Sequence, residues 1–176
     1  QLFGPNAFGW RFMVALLGIL AVFVIARIGR RMFRSTLIGC MAGLLLAIDG
    51  TAIVMSRIGM LDGVLAALLV FAFGCLLVDR DKSRELLAHR MKFIEMGENG
   101  LWQGAGPHLG VRPWRLASGV FLGLALGTKW SALYFIAFFI ILSVLWDAGA
   151  RRRAGISSPL LSAIKRDFIP AALSFG

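Results

Sequence analysis

The sequence predicts an all-α membrane protein, a polytopic bundle of about five full or partial transmembrane helices. Three observations carry this expectation. Of the 176 residues, 59% are hydrophobic and only 16% charged, with a mean hydropathy of +0.80, far from the balance of a water-soluble domain. Apolar stretches of 15 to 31 residues recur along the chain, without the period-two alternation of a membrane barrel. The basic residues, finally, gather at the ends of those stretches.

Each element follows from its length. As helices, the runs 8–26, 35–55 and 60–78 would measure about 28, 31 and 28 Å, each close to the thickness of a hydrocarbon core. The run 116–146 would measure about 46 Å, too long for one crossing. Lys129 interrupts it after Gly127-Thr128, which predicts two shorter helices, 116–128 and 131–146, meeting at a turn. A last span is expected to start near Phe168, with Pro170 tolerated in its first turn. The polar stretch 79–115 is expected to be a loop. With no initiator Met and no cleavable signal, residues 1–176 read as a single transmembrane domain, an internal piece of a longer protein.

The net charge of +10 would suggest nucleic acid in a soluble protein, but its placement points to a bilayer. Arg27, Arg30, Arg31 and Arg34 lie in the first connection. Arg80, Lys82, Arg84, Arg90, Lys92, Arg112 and Arg115 lie in the stretch 79–115, and Arg151, Arg152, Arg153, Lys165 and Arg166 form a third cluster. The positive-inside rule puts all three in the cytoplasm. Two cytoplasmic clusters flanking 116–146 require an even number of crossings between them, which independently supports the break at Lys129. Arg11, Arg57 and Lys129 then fall on the external side. Trp10 and Trp130 toward that interface, and Trp114 and Trp146 toward the other, agree with an aromatic belt.

Several function classes find no support. The glycines of 97–110 match no phosphate-binding loop and read as a flexible connection. His89 and His108 lack metal-ligand spacing, so no metal site is expected. Cys40 and Cys75 fall within spans, where a thiol behaves as a small hydrophobe. There is no Ser-His-Asp or Cys-His arrangement, and no basic–aromatic interleaving for nucleic acid. Two small-residue ridges, Gly39-Gly43-Ala47 and Gly119-Gly123-Gly127, read as helix-packing faces, with a groove for a lipid tail as the alternative.

One cluster stands apart. Ser56-Arg57-Ile58-Gly59-Met60-Leu61-Asp62 sets an arginine and an aspartate between two apolar runs, where charges are rarely kept without a task. Asp49 and Ser56 are seven residues apart, so they share a helix face two turns from each other. Arg57 and Asp62, five residues apart across the turn, can pair and fix its shape. Lys129 arrives at the same membrane face from a separate hairpin. Two cations with acids close by form a candidate phosphate pocket, since Arg and Lys both suit that anion. The alternative is that Arg57 and Lys129 snorkel to the interface.

Asp49-Gly50, then Ser56-Arg57-x-x-x-Leu61-Asp62, then Gly123-Leu124-Ala125-Leu126-Gly127-Thr128-Lys129-Trp130, together resemble the protein O-mannosyltransferases. These are polytopic glycosyltransferases of the GT-C type that use a polyprenyl-phosphate sugar. Eukaryotic members carry comparable Ser-Arg-Tyr-x-x-Leu-Asp and Val-Lys-Trp elements. Gln1-Leu2-Phe3-Gly4 and Phe8-Gly9-Trp10-Arg11-Phe12 are similar to the family's approach to its second span, and Arg112-Pro113-Trp114-Arg115 is similar to the actinobacterial branch. Ile58 and Gly59 depart from the bulkier residues of that motif, and Gly50 stands where Asn is usual.

The resemblance implies a GT-C-type bundle in the cell membrane, its site on the external side. It implies transfer of mannose, with inversion, from polyprenyl-phosphate-mannose to Ser or Thr hydroxyls of exported proteins. Arg57 and Lys129 map onto positions expected to hold the carrier's phosphate, with Asp49, Ser56, Asp62 and Trp130 as supporting residues. The catalytic base is expected to be an acid upstream of Gln1. Implied partners are the lipid-linked sugar, acceptor proteins with Ser/Thr-rich segments, the secretion translocon and the bilayer. No cofactor is expected, the donor being a substrate. The alternatives are another polyprenyl-phosphate-sugar transferase, or a transporter or flippase domain with Asp49, Arg57 and Lys129 along its route.

Overall fold

The computed structural model describes residues 7–58, 61–95 and 112–153, which form six α-helices with no strand among them. They are α1 (Ala7–Phe33), α2 (Thr36–Ile48), α3 (Gly50–Ile58), α4 (Leu61–Glu95), α5 (Pro113–Thr128) and α6 (Ala132–Arg153). Arg11–Phe33, Leu61–His89 and Ala132–Arg153 are each long and apolar enough to cross a membrane, and Thr36–Ile48 is apolar but shorter. The protein is an all-α membrane helical bundle. The start near Phe168 and the glycines between 97 and 110 lie outside the described residues.

Two boundaries differ from those expected, each for a local reason. The run 35–55 is not one helix: it breaks at Asp49, whose backbone is extended (φ −65°, ψ 115°). The Asp49 carboxylate accepts hydrogen bonds from the backbone N–H groups of Thr51 (3.3 Å) and Ala52 (3.1 Å). Asp49 therefore ends α2 and caps α3, satisfying donors that a new helix leaves orphaned. The stretch 79–115 is not all loop either. α4 continues to Glu95, because nothing between Gly74 and Gly97 is a helix breaker and most of these residues favour helix. The onset of polarity at Asp79 therefore does not end the helix.

By their contacts the helices group into two compact units. Unit 1 takes in Gln1–Cys75 and Leu116–Phe135, and unit 2 takes in Leu76–Arg115 and Ile136–Gly176. In unit 1, α1 turns into α2 through Arg34 and Ser35, with Arg34 in the left-handed region (φ 52°). The two helices meet along Gly39 and Gly43. A Cβ at Gly39 would stand 2.6 Å from the Ala26 carbonyl oxygen, and one at Gly43 would stand 2.9 Å from the Ala26 Cβ. Only glycine allows this approach, so the first small-residue ridge is a packing face. The second behaves differently: a Cβ at Gly123 or Gly127 would meet nothing within 4 Å. α5 instead buries the stripe Ser118, Leu122 and Ala125. Leu65 and Leu68 of α4 join Ala125 and Ala132 in a small core, with Phe71 and Phe121 edge-on at 5.6 Å beside it.

Candidate functional site

The charged residues singled out from the sequence fall in unit 1. Asp62 lies in the first turn of α4 and Lys129 follows the last residue of α5. Each end suits its charge, since an acid is favourable at a helix N-terminus and a cation at a C-terminus. The Lys129 backbone N–H donates to the Ala125 carbonyl oxygen at 3.1 Å, and the Thr128 hydroxyl donates to the same oxygen at 2.7 Å. This turn fixes where the lysine leaves the helix. Its Nζ donates to Asp62 Oδ1 at 2.6 Å, with the two side chains 50% and 44% exposed.

An ion pair so open to solvent contributes about 0.2–1 kcal/mol, too little to make it a structural anchor. What it does provide is position. An ammonium group has three N–H donors, and Asp62 engages Lys129 through a single hydrogen bond, leaving donors for an external anion. Trp130, the next residue, is 84% exposed. Asp62 thus pairs with Lys129, while its pairing with Arg57 rests on a side chain outside the described residues. The α3 backbone carries Ser56 and Arg57 to within a few residues of Asp62, and their side chains lie outside the described residues. Asp49 serves as a helix cap, exposed, and does not share a continuous helix face with Ser56.

Unit 2 holds a second cluster, which sequence reasoning missed. Arg112, just before α5, spreads its guanidinium between two aspartates. It donates from Nε to Asp79 Oδ1 at 3.1 Å and from Nη2 to Asp79 Oδ2. It also donates from Nη1 to Asp147 Oδ2 at 2.9 Å and from Nη2 to Asp147 Oδ1 at 3.1 Å. Arg115 adds a bond from Nη2 to Asp147 Oδ2 at 2.6 Å and lies 3.4 Å from Asp79. Burial pulls the Arg112 guanidinium down. Its hydrogen bonds and the charges of Asp147 and Asp79 outweigh this and hold it above the usual arginine value. Asp79 also anchors its own helix, its carbonyl oxygen accepting the Ser83 hydroxyl at 2.7 Å.

A signal for this cluster was present: two acids, Asp79 and Asp147, each directly follow an apolar run and face the spacing Arg112-x-x-Arg115. Counting those arginines only as topogenic charge hid it.

The geometry can be set beside known proteins. The family model described as dolichyl-phosphate-mannose-protein mannosyltransferase matches residues 1–96. A polyprenol-phosphate-mannose–protein mannosyltransferase of Mycolicibacterium smegmatis is 46% identical over 99% of this chain and 33% of its own length. The protein of the same name from Mycobacterium tuberculosis is 45% identical over the same shares, 99% and 33%. That from Corynebacterium glutamicum is 40% identical over 96% of this chain and 32% of its own. The chain therefore spans about a third of the length of these curated relatives. No solved structure matches.

Proposed function

We propose that this chain holds the leaving group in a mannosyl-transfer site, proceeding from its family: it belongs to the dolichyl-phosphate-mannose-protein mannosyltransferases. The reaction is transfer of mannose from polyprenyl-phosphate-mannose to a Ser or Thr hydroxyl of an exported protein. The relatives' names support the donor and the protein acceptor. The site faces the external side of the cell membrane, where the charge sorting of the sequence assigns Arg57 and Lys129. Acceptors with Ser/Thr-rich segments, delivered near the secretion translocon, fit that side.

In this reading the acceptor oxygen attacks the anomeric carbon as the bond from that carbon to the phosphate oxygen breaks. The hydroxyl proton passes to a general base on the acceptor side. The transition state is oxocarbenium-like, and negative charge grows on the departing phosphate. Arg57 and Lys129 hold that phosphate, so their attraction strengthens as the bond breaks and lowers the barrier selectively. Asp62 positions the Lys129 ammonium, Asp49 shapes the start of α3 beneath Ser56 and Arg57, and Trp130 lies at the rim.

The observation that carries this reading is the 2.6 Å bond between Lys129 and Asp62. It joins two motifs 67 residues apart while leaving the cation half open. The test is mannose transfer from a radiolabelled lipid donor by full-length protein carrying Arg57→Ala or Lys129→Ala. Both variants are expected to insert normally and lose transfer. Wild-type transfer by both would overturn the phosphate site.

A further inference from the structure

Unit 2 carries more positive charge than its buried network neutralises. Inside the network two guanidinium groups meet two carboxylates, and the charges cancel. Beside it stand Arg80, Lys82 and Arg84 on α4 and Arg151, Arg152 and Arg153 on α6, against only Asp81 and Glu85 on the same stretches. Arg84 is within electrostatic reach of Arg80 and Arg153, which repel it, and of one acid, Asp81. Its Nε is buried and meets no acceptor among the described residues. Arg80 reaches Asp81 only loosely, at 3.6 Å, and lies over the Trp146 ring at 5.0 Å. Lys82 lies over Trp114 at 5.1 Å.

Arg80 and Arg84 are half-buried and Arg153 is exposed, and guanidinium groups within reach of one another gain most from an anion that several of them can share. A phosphate oxygen array fits their forked donors. The two tryptophans beneath the cations set the depth, because indole rings favour the level of lipid headgroups. Basic pockets between membrane helices on the cytoplasmic side, where the sequence sorts these residues, attract anionic lipid. A free phosphate would satisfy the cations but would gain nothing from that depth.

We propose that Arg80, Arg84 and Arg153 form a binding site for the phosphodiester headgroup of an anionic phospholipid. The site lies in unit 2, involves no residue assigned to mannosyl transfer, and stands or falls separately from it.

The test is native mass spectrometry of the full-length protein, delipidated in detergent and titrated with phosphatidylglycerol or phosphatidylcholine. Wild-type protein retains phosphatidylglycerol selectively, and millimolar inorganic phosphate displaces it only in part. The Arg84→Gln/Arg153→Gln variant binds phosphatidylglycerol about thirtyfold more weakly, at about 1 kcal/mol per basic residue near an anionic surface. Arg31→Gln, which removes a basic residue from unit 1, leaves retention unchanged. The charge-preserving Arg84→Lys/Arg153→Lys variant keeps the selectivity with weaker binding. Equal retention of the two lipids by wild-type protein overturns the proposal whatever the variants do. So does undiminished phosphatidylglycerol binding by the glutamine variant, or complete displacement by inorganic phosphate, which would mark a free-phosphate site.

Discussion

In unit 1, Asp62 and Lys129 share one hydrogen bond and keep about half of each side chain open, at 44% and 50%. In unit 2, Arg112 and Arg115 are enclosed with Asp79 and Asp147, and all four side chains are 5–16% exposed. The enclosed cluster has its charges balanced and its carboxylates bound by forked donors, so it has little left to offer a ligand. It ties the residues before α5 to α4 and α6. The open pair gains little stability and keeps donors free. Similar ion pairs thus serve opposite ends, and exposure with unspent donors tells them apart better than charge count does.

The comparison breaks most readily at Arg112. Arg112→Ala leaves two buried carboxylates with Arg115 alone, and such an uncompensated buried charge costs about 3–5 kcal/mol. Thermal unfolding of the full-length protein in detergent should show a clear drop in midpoint. A variant as stable as wild type would mean that the network is not structural. At the open pair the expectation reverses. Asp62→Asn should move stability by less than about 1 kcal/mol, as for exposed pairs. It should nonetheless slow mannose transfer by about tenfold, the equivalent of roughly 1.4 kcal/mol, by releasing the lysine from its position. Parallel melting and transfer assays check both halves. A large loss of stability with normal transfer would assign Asp62 to the scaffold.

How much of this was legible in the sequence depends on the range of the interaction. The turn at Lys129 could be read from Gly127-Thr128 and from the basic clusters on either side, because both signals are local or additive. The break at Asp49 was equally local. An acid inside an apolar run reads as a charge, whereas here it caps the residues that follow it. Hydropathy falls at Asp79, yet backbone propensity carries α4 on to Glu95, so hydropathy does not mark this helix end. The Arg112-x-x-Arg115 spacing and the acids ending two apolar runs hint at the network, but its pairing across 33 and 35 residues is made only by the fold. The approach of Lys129 to Asp62, across 67 residues, was anticipated only as a shared membrane face. The bond itself required three dimensions.

The central claim is that Lys129 holds the phosphate of the departing lipid carrier. The most direct test is the affinity of full-length protein for polyprenyl phosphate, the product itself, with and without Lys129→Ala. Loss of a charge-assisted hydrogen bond of about 1.5–3 kcal/mol predicts binding weaker by about 10- to 100-fold. The melting temperature should not change. Binding as tight as that of wild type would contradict the claim.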